Sequence, residues 1–478
     1  MSLPLWAMVV LGLLTIHGVL ALIVVGHALI HKRSPRAAMA WSAISLSVPF
    51  GGSILYFFFG INRIKTRARL LKERGPGAGH HPDYPDGFQL ASSDLAPELV
   101  ELARVSEGVT NWPLVAGNSV EALHNGEGAY PEMLEAIRRA TSSVYLATYI
   151  FESNRTGEAF VEALSAAHRR GVDVRVMIDG VGAIHIRSDV SRQLRDLGVP
   201  TVLFLPPRLF PIPSLHINLR NHRKILVVDE AVAFTGGMNL GDRHLVEDPS
   251  TEQVADIHFR FHGPIVAQIE RTFLDDWAFV CDQPASKVCR IPQRSGSAVC
   301  RAIVDGPDEF IDRLTAVLVG AVSAAHKSVH IMNPYFLPPR ELVGALKAAA
   351  LRGVEVVILL PGESDSFVTR WATRHMLWEL LRWQVAIYYQ PPPFVHTKLF
   401  VVDGEYTQIG SSNLDPRSLR LNFELNVEVF DRALADELVS HVEEVRSRSH
   451  RITLEEVDSR PLLRKLGDGL AWLFTPYL

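Results

Sequence analysis

The chain has 478 residues, of which 47% are hydrophobic, 21% charged and 8% aromatic. That length fits about three folded units at roughly 150 residues each, and the composition excludes a disordered or collagen-like chain. The net charge of −4 is unevenly spread: residues 1–90 carry nine Lys or Arg against three acids, leaving 39 of the 48 basic and 49 of the 52 acidic residues, a net of −10, for residues 91–478. A polyanion-binding body normally has the opposite sign, so nucleic acid is not an expected partner. Cys281, Cys289 and Cys300 are too few and too irregularly spaced for a disulfide framework or a CxxC metal knuckle, and are read as ordinary thiols.

Residues 2–31 contain no Asp, Glu, Lys or Arg and exceed the roughly 20 residues that an α-helix needs to cross a hydrocarbon core. The run lacks the basic start, short apolar stretch and small-residue cleavage site of a signal peptide, so it reads as a membrane span. A second uncharged stretch, 37–62, is broken by Pro49, Gly51 and Gly52, whose freed backbone groups a neighbouring helix can satisfy. Together the two stretches are expected to form a transmembrane hairpin. Three basic residues in the connector and six in 62–74 assign the N-terminus and everything beyond residue 62 to the cytoplasm, because cytoplasmic flanks are enriched in Lys and Arg. The six act either as that signal alone or also on anionic headgroups, at about 1 kcal/mol each. Residues 75–81 and the PDYPDG that follows read as a linker. His80 and His81 are loop residues there, with no ligand-spaced partner to make a metal site.

The remainder repeats itself. SVYLATYIF at 143–151 matches SVHIMNPYF at 328–336, RRGVDVRVMIDG at 169–180 matches LRGVEVVILLPG at 351–362, and HRKILVVDEAVAFTGGMN at 222–239 matches HTKLFVVDGEYTQIGSSN at 396–413. Helical and apolar strand patterns alternate in each copy, so each is expected to be an α/β unit with a largely covered sheet.

The last matched segment carries the chemistry. Residues i and i+2 of a strand face one side, so His222 projects with Lys224 and His396 with Lys398, while ILVV and LFVV continue as buried strand. Turn residues follow, most clearly Asp403-Gly404. Reflection about the turns brings Asn239 beside His222 and Lys224, and Asn413 beside His396 and Lys398, within about a residue of register. Gly236, Gly237, Gly410 and Ser411 let the returning strand end close to the site's occupant. One half offers an imidazole, an ammonium and a carboxamide, and two related halves offer a pair of each.

A phosphodiester uses that set. One imidazole attacks phosphorus, the other protonates the leaving alkoxide, and lysines and asparagines hold the nonbridging oxygens. The scheme calls for no metal or other cofactor. A carboxylate on the second ring nitrogen fixes tautomer and orientation. Candidates lie downstream in comparable places: Asp256, 34 residues after His222, and Glu424, 28 residues after His396. Asp229 and Asp403, at strand ends, read as holding backbone amides or a partner charge. A single HxK is weak evidence, but HxKx4Dx6G[GS]xN occurring twice at matched positions of a repeat is strong.

With these motifs the chain resembles the phospholipase D superfamily, and within it the bacterial cardiolipin synthases. His222, Lys224, Asp229 and His396, Lys398, Asp403 match its two HKD motifs. The RNHRK context at 220–224, the PFGGSILYFFFG segment and the N-terminal spans are also similar to that synthase family. The resemblance implies two tandem phospholipase D-like α/β units with pseudo-twofold symmetry behind a two-helix transmembrane hairpin. It also implies ping-pong transfer between two phosphatidylglycerol molecules through a phosphatidyl-histidine on His222, with His396 as acid and base, giving cardiolipin and glycerol. A hydrolytic phospholipase D or another phosphatidyltransferase differs only in the acceptor. A nuclease is disfavoured by charge and spans, and a non-catalytic scaffold by two intact motifs. The expected division is hairpin 1–62, basic segment and linker 63–110, first unit 111–295, second unit 296–450 and amphipathic tail 451–478, in the inner membrane with the oligomeric state open. In that tail Leu462, Leu463, Leu466, Leu470, Leu473 and Phe474 fall at helical spacing, with Trp472 and Tyr477 suited to an interface; contact with the membrane and docking on the second unit are both open. The aromatic run at 371–383 reads as a helix packed on the sheet, ahead of an acyl-chain entrance.

Overall fold

The computed structural model describes residues 4–32, 34–60, 84–85, 87–110, 112–206, 219–249, 252–283, 289–306 and 312–475. The basic segment 62–74, His80, His81 and Tyr477 lie outside the described residues. The chain divides into two compact units, Met1–Leu70 and Leu71–Leu478.

In the smaller unit, α1 (Leu5–His31) contains an 18-residue window of mean hydropathy 2.7, and among the described residues it is the one helix long and apolar enough to cross a membrane. The second uncharged stretch is not one helix. It consists of α2 (Pro35–Ser47), a break around Pro49 with Phe50 at φ 58°, α3 (Gly51–Leu55) and a π-helical turn at Tyr56–Gly60. His17 of α1 serves the break with a single tautomer: Phe50 N–H donates to Nδ1 at 3.4 Å, and Nε2–H donates to Leu46 O at 3.3 Å. Polar groups of a broken helix in an apolar medium require such a partner.

The larger unit is built on one sixteen-stranded sheet, made of fourteen principal strands and two two-residue edge strands, Gln89–Leu90 and His450–Arg451. Its first half supplies β1 (Leu114–His124), β2 (Ser143–Thr148), β3 (Asp173–Asp179), β4 (Thr201–Phe204), β5 (Ile225–Val228), β6 (Val232–Gly236) and β7 (Ile257–His262). The second half supplies β8 (Ala298–Asp305), β9 (Ser328–Met332), β10 (Glu355–Pro361), β11 (Ala386–Gln390), β12 (Leu399–Val402), β13 (Tyr406–Gly410) and β14 (Glu424–Phe430). The order is β11-β10-β9-β12-β13-β14-β8-β1-β7-β6-β5-β2-β3-β4. Read outward from the antiparallel β1–β8 pair, the two halves correspond strand for strand. Only the outer three strands of each half run parallel, so the sheet is mixed.

Helices cover both faces. On one face α4 (Asn125–Arg139) and α5 (Arg155–Arg169) bury Met133, Ile137, Phe160 and Leu164 on the first half. On the second half, α7 (Arg313–Ala324) and α8 (Arg340–Leu351) bury Leu314, Leu318, Leu342 and Leu346. On the other face α6 (Ile265–Cys281) and α10 (Arg432–Ser447) enter one core that draws on strands of both halves, from Tyr145 and Phe261 to Val357 and Val427. That shared core makes the halves one body. A buried ion pair, Arg301 with Glu428, lies between β8 and β14, where Glu428 also accepts from Ser106 Oγ at 2.6 Å.

Asp229 and Asp403 close the hairpins that carry the matched segments. Asp229 accepts from the backbone N–H groups of Thr141, Ser142 and Ser143 at 2.7–2.9 Å, and Asp403 from those of His326, Lys327 and Ser328 over the same range. Burial alone would raise the Asp229 carboxyl, but these donors outweigh it and hold the group below its ordinary value. Each aspartate thus ties the turn to the start of β2 or β9, and so fixes where the preceding HxK segment begins. Asp403→Ala is expected to cost about 2 kcal/mol, measured as an earlier urea midpoint, with activity per folded molecule retained. A thousandfold loss of activity in the folded variant would instead put this carboxylate in the chemistry.

Candidate active site

His222 and Lys224 lie in the extended segment just before β5, and His396 and Lys398 in the one before β12. The i, i+2 spacing keeps each pair together: Lys224 Nζ donates to His222 O at 2.7 Å, and Lys398 Nζ lies 2.7 Å from His396 Nδ1. Before entering its own strand, each segment runs alongside the opposite half. His222 N–H donates to Phe423 O at 2.9 Å, one residue ahead of Glu424, and Phe423 N–H donates to Arg220 O at 2.8 Å. Phe394 and Val395 pair in parallel with Val254 and Ala255, and His396 N–H donates to Ala255 O at 2.7 Å, one residue ahead of Asp256.

The carboxylates are therefore exchanged between the halves. His222 Nδ1 lies 3.2 Å from Glu424 Oε2, and His396 Nδ1 lies 2.9 Å from Asp256 Oδ2. Sequence position had grouped Asp256 with His222 and Glu424 with His396. The structure corrects the grouping, because each histidine segment is laid across the seam immediately before the other half's carboxylate. His222 Nδ1 also lies 3.1 Å from Ser411 O. Two acceptors on Nδ1 place the ring proton there and leave a lone pair on Nε2.

The small residues after β6 and β13 make room for the carboxylates. A Cβ at Gly237 would clash with the Asp256 carboxylate, and Ser411 Oγ donates to Glu424 Oε2 at 2.5 Å. The expected approach of the returning strand is thus to the orienting acid. Extrapolating the ladders, in which Ile225 opposes Thr235 and Leu399 opposes Ile409, sets His222 against Met238 and His396 against Ser412, one residue short of the asparagines. Asn239 Oδ1 accepts from Ile150 N–H at 3.2 Å, which reserves its Nδ2 as a donor. Asn413 Oδ1 is buried and makes no hydrogen bond among the described residues.

Electrostatics bind the four central groups into one site. Burial lowers both imidazoles, and His396 is further depressed by Lys398, Lys224 and His222. Burial brings Lys224 down to about 7 and Lys398 to about 8, against the pull of Glu424 and Asp256. Glu424 is raised by burial, but His222 and Lys224 outweigh that and leave it below its ordinary value. His222 also feels Lys398 from the other half. An anion placed among these groups favours their charged forms.

Several supporting residues escaped the sequence reading. Arg223, between the two site residues, turns the other way: it pairs with Asp276 and donates to Glu424 O at 3.1 Å and Asp305 O at 2.9 Å. Asn221 Nδ2 donates to Asp276 Oδ2 at 3.0 Å, and Asn221 N–H donates to Asp179 Oδ2 at 2.7 Å. Arg223 and Asn221 belong to the RNHRK run, which gave a signal. Asp179 aligns with Pro361 in the repeat, so the duplication gave none. Tyr149 stands edge-on to His222 at 5.1 Å, and Tyr335 edge-on to His396 at 6.1 Å.

Paired HxK segments meeting across a duplicated α/β sheet define a phospholipase D-like protein. Residues 133–277 and 318–446 match the family described as cardiolipin synthase, PLD-like domain, and residues 19–60 match one described as phospholipase D-nuclease N-terminal. Cardiolipin synthase A of Pseudomonas putida is 31% identical over 472 residues, covering 98% of this chain and 97% of that one. The major cardiolipin synthase of Bacillus subtilis is 29% identical over 469 residues, covering 94% and 95%. The crystal structure of phosphatidylserine synthase from Haemophilus influenzae shares the fold, with a TM-score of 0.62 at 14% identity over 79% of this chain and 100% of that one. The chain belongs to the cardiolipin synthase family.

The two buried lysines give anion binding at the site a pH dependence. Both side chains are ammonium ions below their pKa and neutral above it, so positive charge is lost as pH rises through about 7 and about 8. Binding of tungstate to the purified chain is expected to weaken by about tenfold or more between pH 6 and 9. Affinity that is flat or rises over that range would contradict the assignment.

Proposed function

We infer that this chain is a membrane-associated phosphatidyltransferase that makes cardiolipin from two phosphatidylglycerol molecules. The observation that carries this reading is the end-to-end similarity to cardiolipin synthases, N-terminal apolar helix included.

The geometry supports a two-step transfer. His222 Nε2, with its lone pair set by the acceptors on Nδ1, forms a bond to phosphorus as the bond to the glycerol oxygen breaks. His396, held by Asp256, gives that oxygen a proton, and glycerol leaves. His396 then takes the proton of a headgroup hydroxyl on the second phosphatidylglycerol. That oxygen bonds to phosphorus as the nitrogen–phosphorus bond breaks, so cardiolipin is released and both imidazoles return to their starting states. Lys224, Lys398, Asn239 and Asn413 hold the nonbridging oxygens, and the bound phosphate raises the imidazole that must act as acid. His222 takes the nucleophile's role because its Nδ1 faces two acceptors, whereas the His396 ring lies against the Lys398 ammonium. Asp229 and Asp403 serve from a distance, by fixing the segments.

In this reading residues 1–62 form a two-helix hairpin in the inner membrane with both ends cytoplasmic, and the pairing of His17 with the break after α2 supports it. Residues 63–110 connect it to a first phospholipase D-like unit at 111–295, a pseudo-twofold partner at 296–450 and a tail at 451–478. Anchoring suits a substrate that stays in the bilayer, because a tethered site samples lipid at high effective concentration.

Purified protein given phosphatidylglycerol alone is expected to yield cardiolipin and glycerol in equal amounts, resolved by mass. Phosphatidic acid as the sole lipid product would point to the hydrolytic alternative. His222→Ala and His396→Ala are each expected to lower transfer by about a thousandfold or more while the protein remains in the membrane fraction. Full activity in either variant would remove that histidine from the scheme.

A further inference from the structure

The larger unit ends in a helix that is turned inside out. α11 (Leu462–Leu473) packs on α9 (Phe367–Leu381), but the side chains it buries are Asp468 and Ala471. Asp468, 1% exposed, pairs with Arg374 at 2.8 Å and with Arg460, and Ala471 meets Ala372 and Leu337 in a small core. Gly467 faces Trp371 and Gly469 faces His375, where an added Cβ would make ordinary van der Waals contact. The apolar residues point away: Leu462 is 72% and Leu463 82% exposed, and Leu466, Leu470, Leu473 and Phe474 are all exposed as well. α9 extends the same surface with Phe367, Trp371 and Trp378. Elsewhere among the described residues of this unit, the exposed large apolar side chains are Ile184, Leu197, Leu351 and, two residues past α9, Trp383. A contiguous apolar surface on a folded unit marks an interaction site.

Two further observations identify what covers it. Residues 367–382 and 460–474 contain six basic side chains against two acids, in a body whose net charge from residue 91 onward is −10; Arg374 and Arg460 are taken up by Asp468, which leaves Arg370, Arg382, Arg464 and Lys465 exposed. Cationic side chains around an apolar face suit anionic lipid. The surface also starts beside the site. Tyr335, edge-on to His396, donates through its hydroxyl to Asp365 at 2.6 Å, and two residues later Phe367 opens α9, 65% exposed and packed on Trp371 at 5.5 Å.

We propose that the α9–α11 surface is a second membrane contact, one that seats the catalytic unit in the anionic leaflet and brings the mouth of the site on the His396 side to the level of the lipid headgroups. This rests on the reading that the substrate is a phospholipid. The buried Asp468–Arg374 pair locks α11 with its leucines outward, so the surface stands ready before lipid arrives. Membrane attachment by α1 confines the unit near the bilayer; this surface orients it.

The test uses the full chain in vesicles of phosphatidylglycerol and phosphatidylcholine, with a nitroxide on Leu466→Cys or Leu470→Cys and the signal of the labelled unsubstituted chain subtracted. The expected result is a nitroxide reached more readily by oxygen than by a water-soluble nickel chelate, at all lipid-to-protein ratios. A nitroxide open to the nickel chelate overturns the proposal. Shielding that fades as the protein is diluted with lipid also overturns it, by placing a second copy of the chain there. The double variant Leu466→Glu/Leu470→Glu is expected to lose at least tenfold in activity on bilayer phosphatidylglycerol and to keep its activity on a short-chain phosphatidylglycerol dissolved as monomers. Equal losses on both would mark these leucines as part of the fold and overturn the proposal. Inactivity of the unsubstituted chain on both forms would strike the proposed reaction alone and leave the nitroxide result to be judged by itself.

Discussion

Each half of this protein holds the other half's histidine. Glu424 lies at the Nδ1 of His222 and Asp256 at the Nδ1 of His396, and neither pair can form within one half. The exchange begins in the backbone, where each histidine segment is hydrogen-bonded to the opposite half one residue before that half's carboxylate. The site therefore exists only when the seam is closed. Much of the remaining structure closes it: the core shared by α6 and α10, and Arg223 reaching across to Glu424 O and Asp305 O. Arg223 is itself buried and paired with Asp276 of its own half, and removing one partner of a buried pair is costly, so the two bonds it makes across the seam are held in place.

The same closure explains the electrostatics. Two imidazoles and two ammonium groups sit together with two carboxylates in a buried place. Desolvation disfavours every charge, and the carboxylates only partly offset it. Such a site is poised for an anion that spreads negative charge over several oxygens, because that ligand restores what burial removed. Orientation and affinity come from one arrangement, since the carboxylates that aim the rings also moderate the cationic field.

The matched segments, their strand-and-turn character and the hydrogen-bonding role of Asp229 and Asp403 could be read from the sequence, because strand alternation and turn chemistry are local and the duplication showed them twice. The exchange of Asp256 and Glu424 could not. Nothing in a one-dimensional repeat states whether two copies close their own sites or each other's, and within-copy spacing points the wrong way. Asp179 and Asp276 were hidden for a related reason: they act through Asn221 and Arg223 and touch no ring. In the N-terminal stretch, Pro49 and the glycines signalled a break, but the partner that serves it, His17, lies on another helix. The tail's periodicity disclosed an amphipathic helix without saying which face is buried. That depended on a long-range ion pair between Asp468 and Arg374, which reversed the side that leucine alone would choose.

The proposed transfer sets one physical requirement, that two imidazoles from different halves act on one phosphorus atom. The most direct test is a structure of the full chain bound to vanadate. The expected result is a single vanadium centre ligated by Nε2 of His222 in line with an oxygen within hydrogen-bonding distance of His396, with Lys224 and Lys398 on its equatorial oxygens. Two separate anions, one at each ring with no shared ligand, would contradict it.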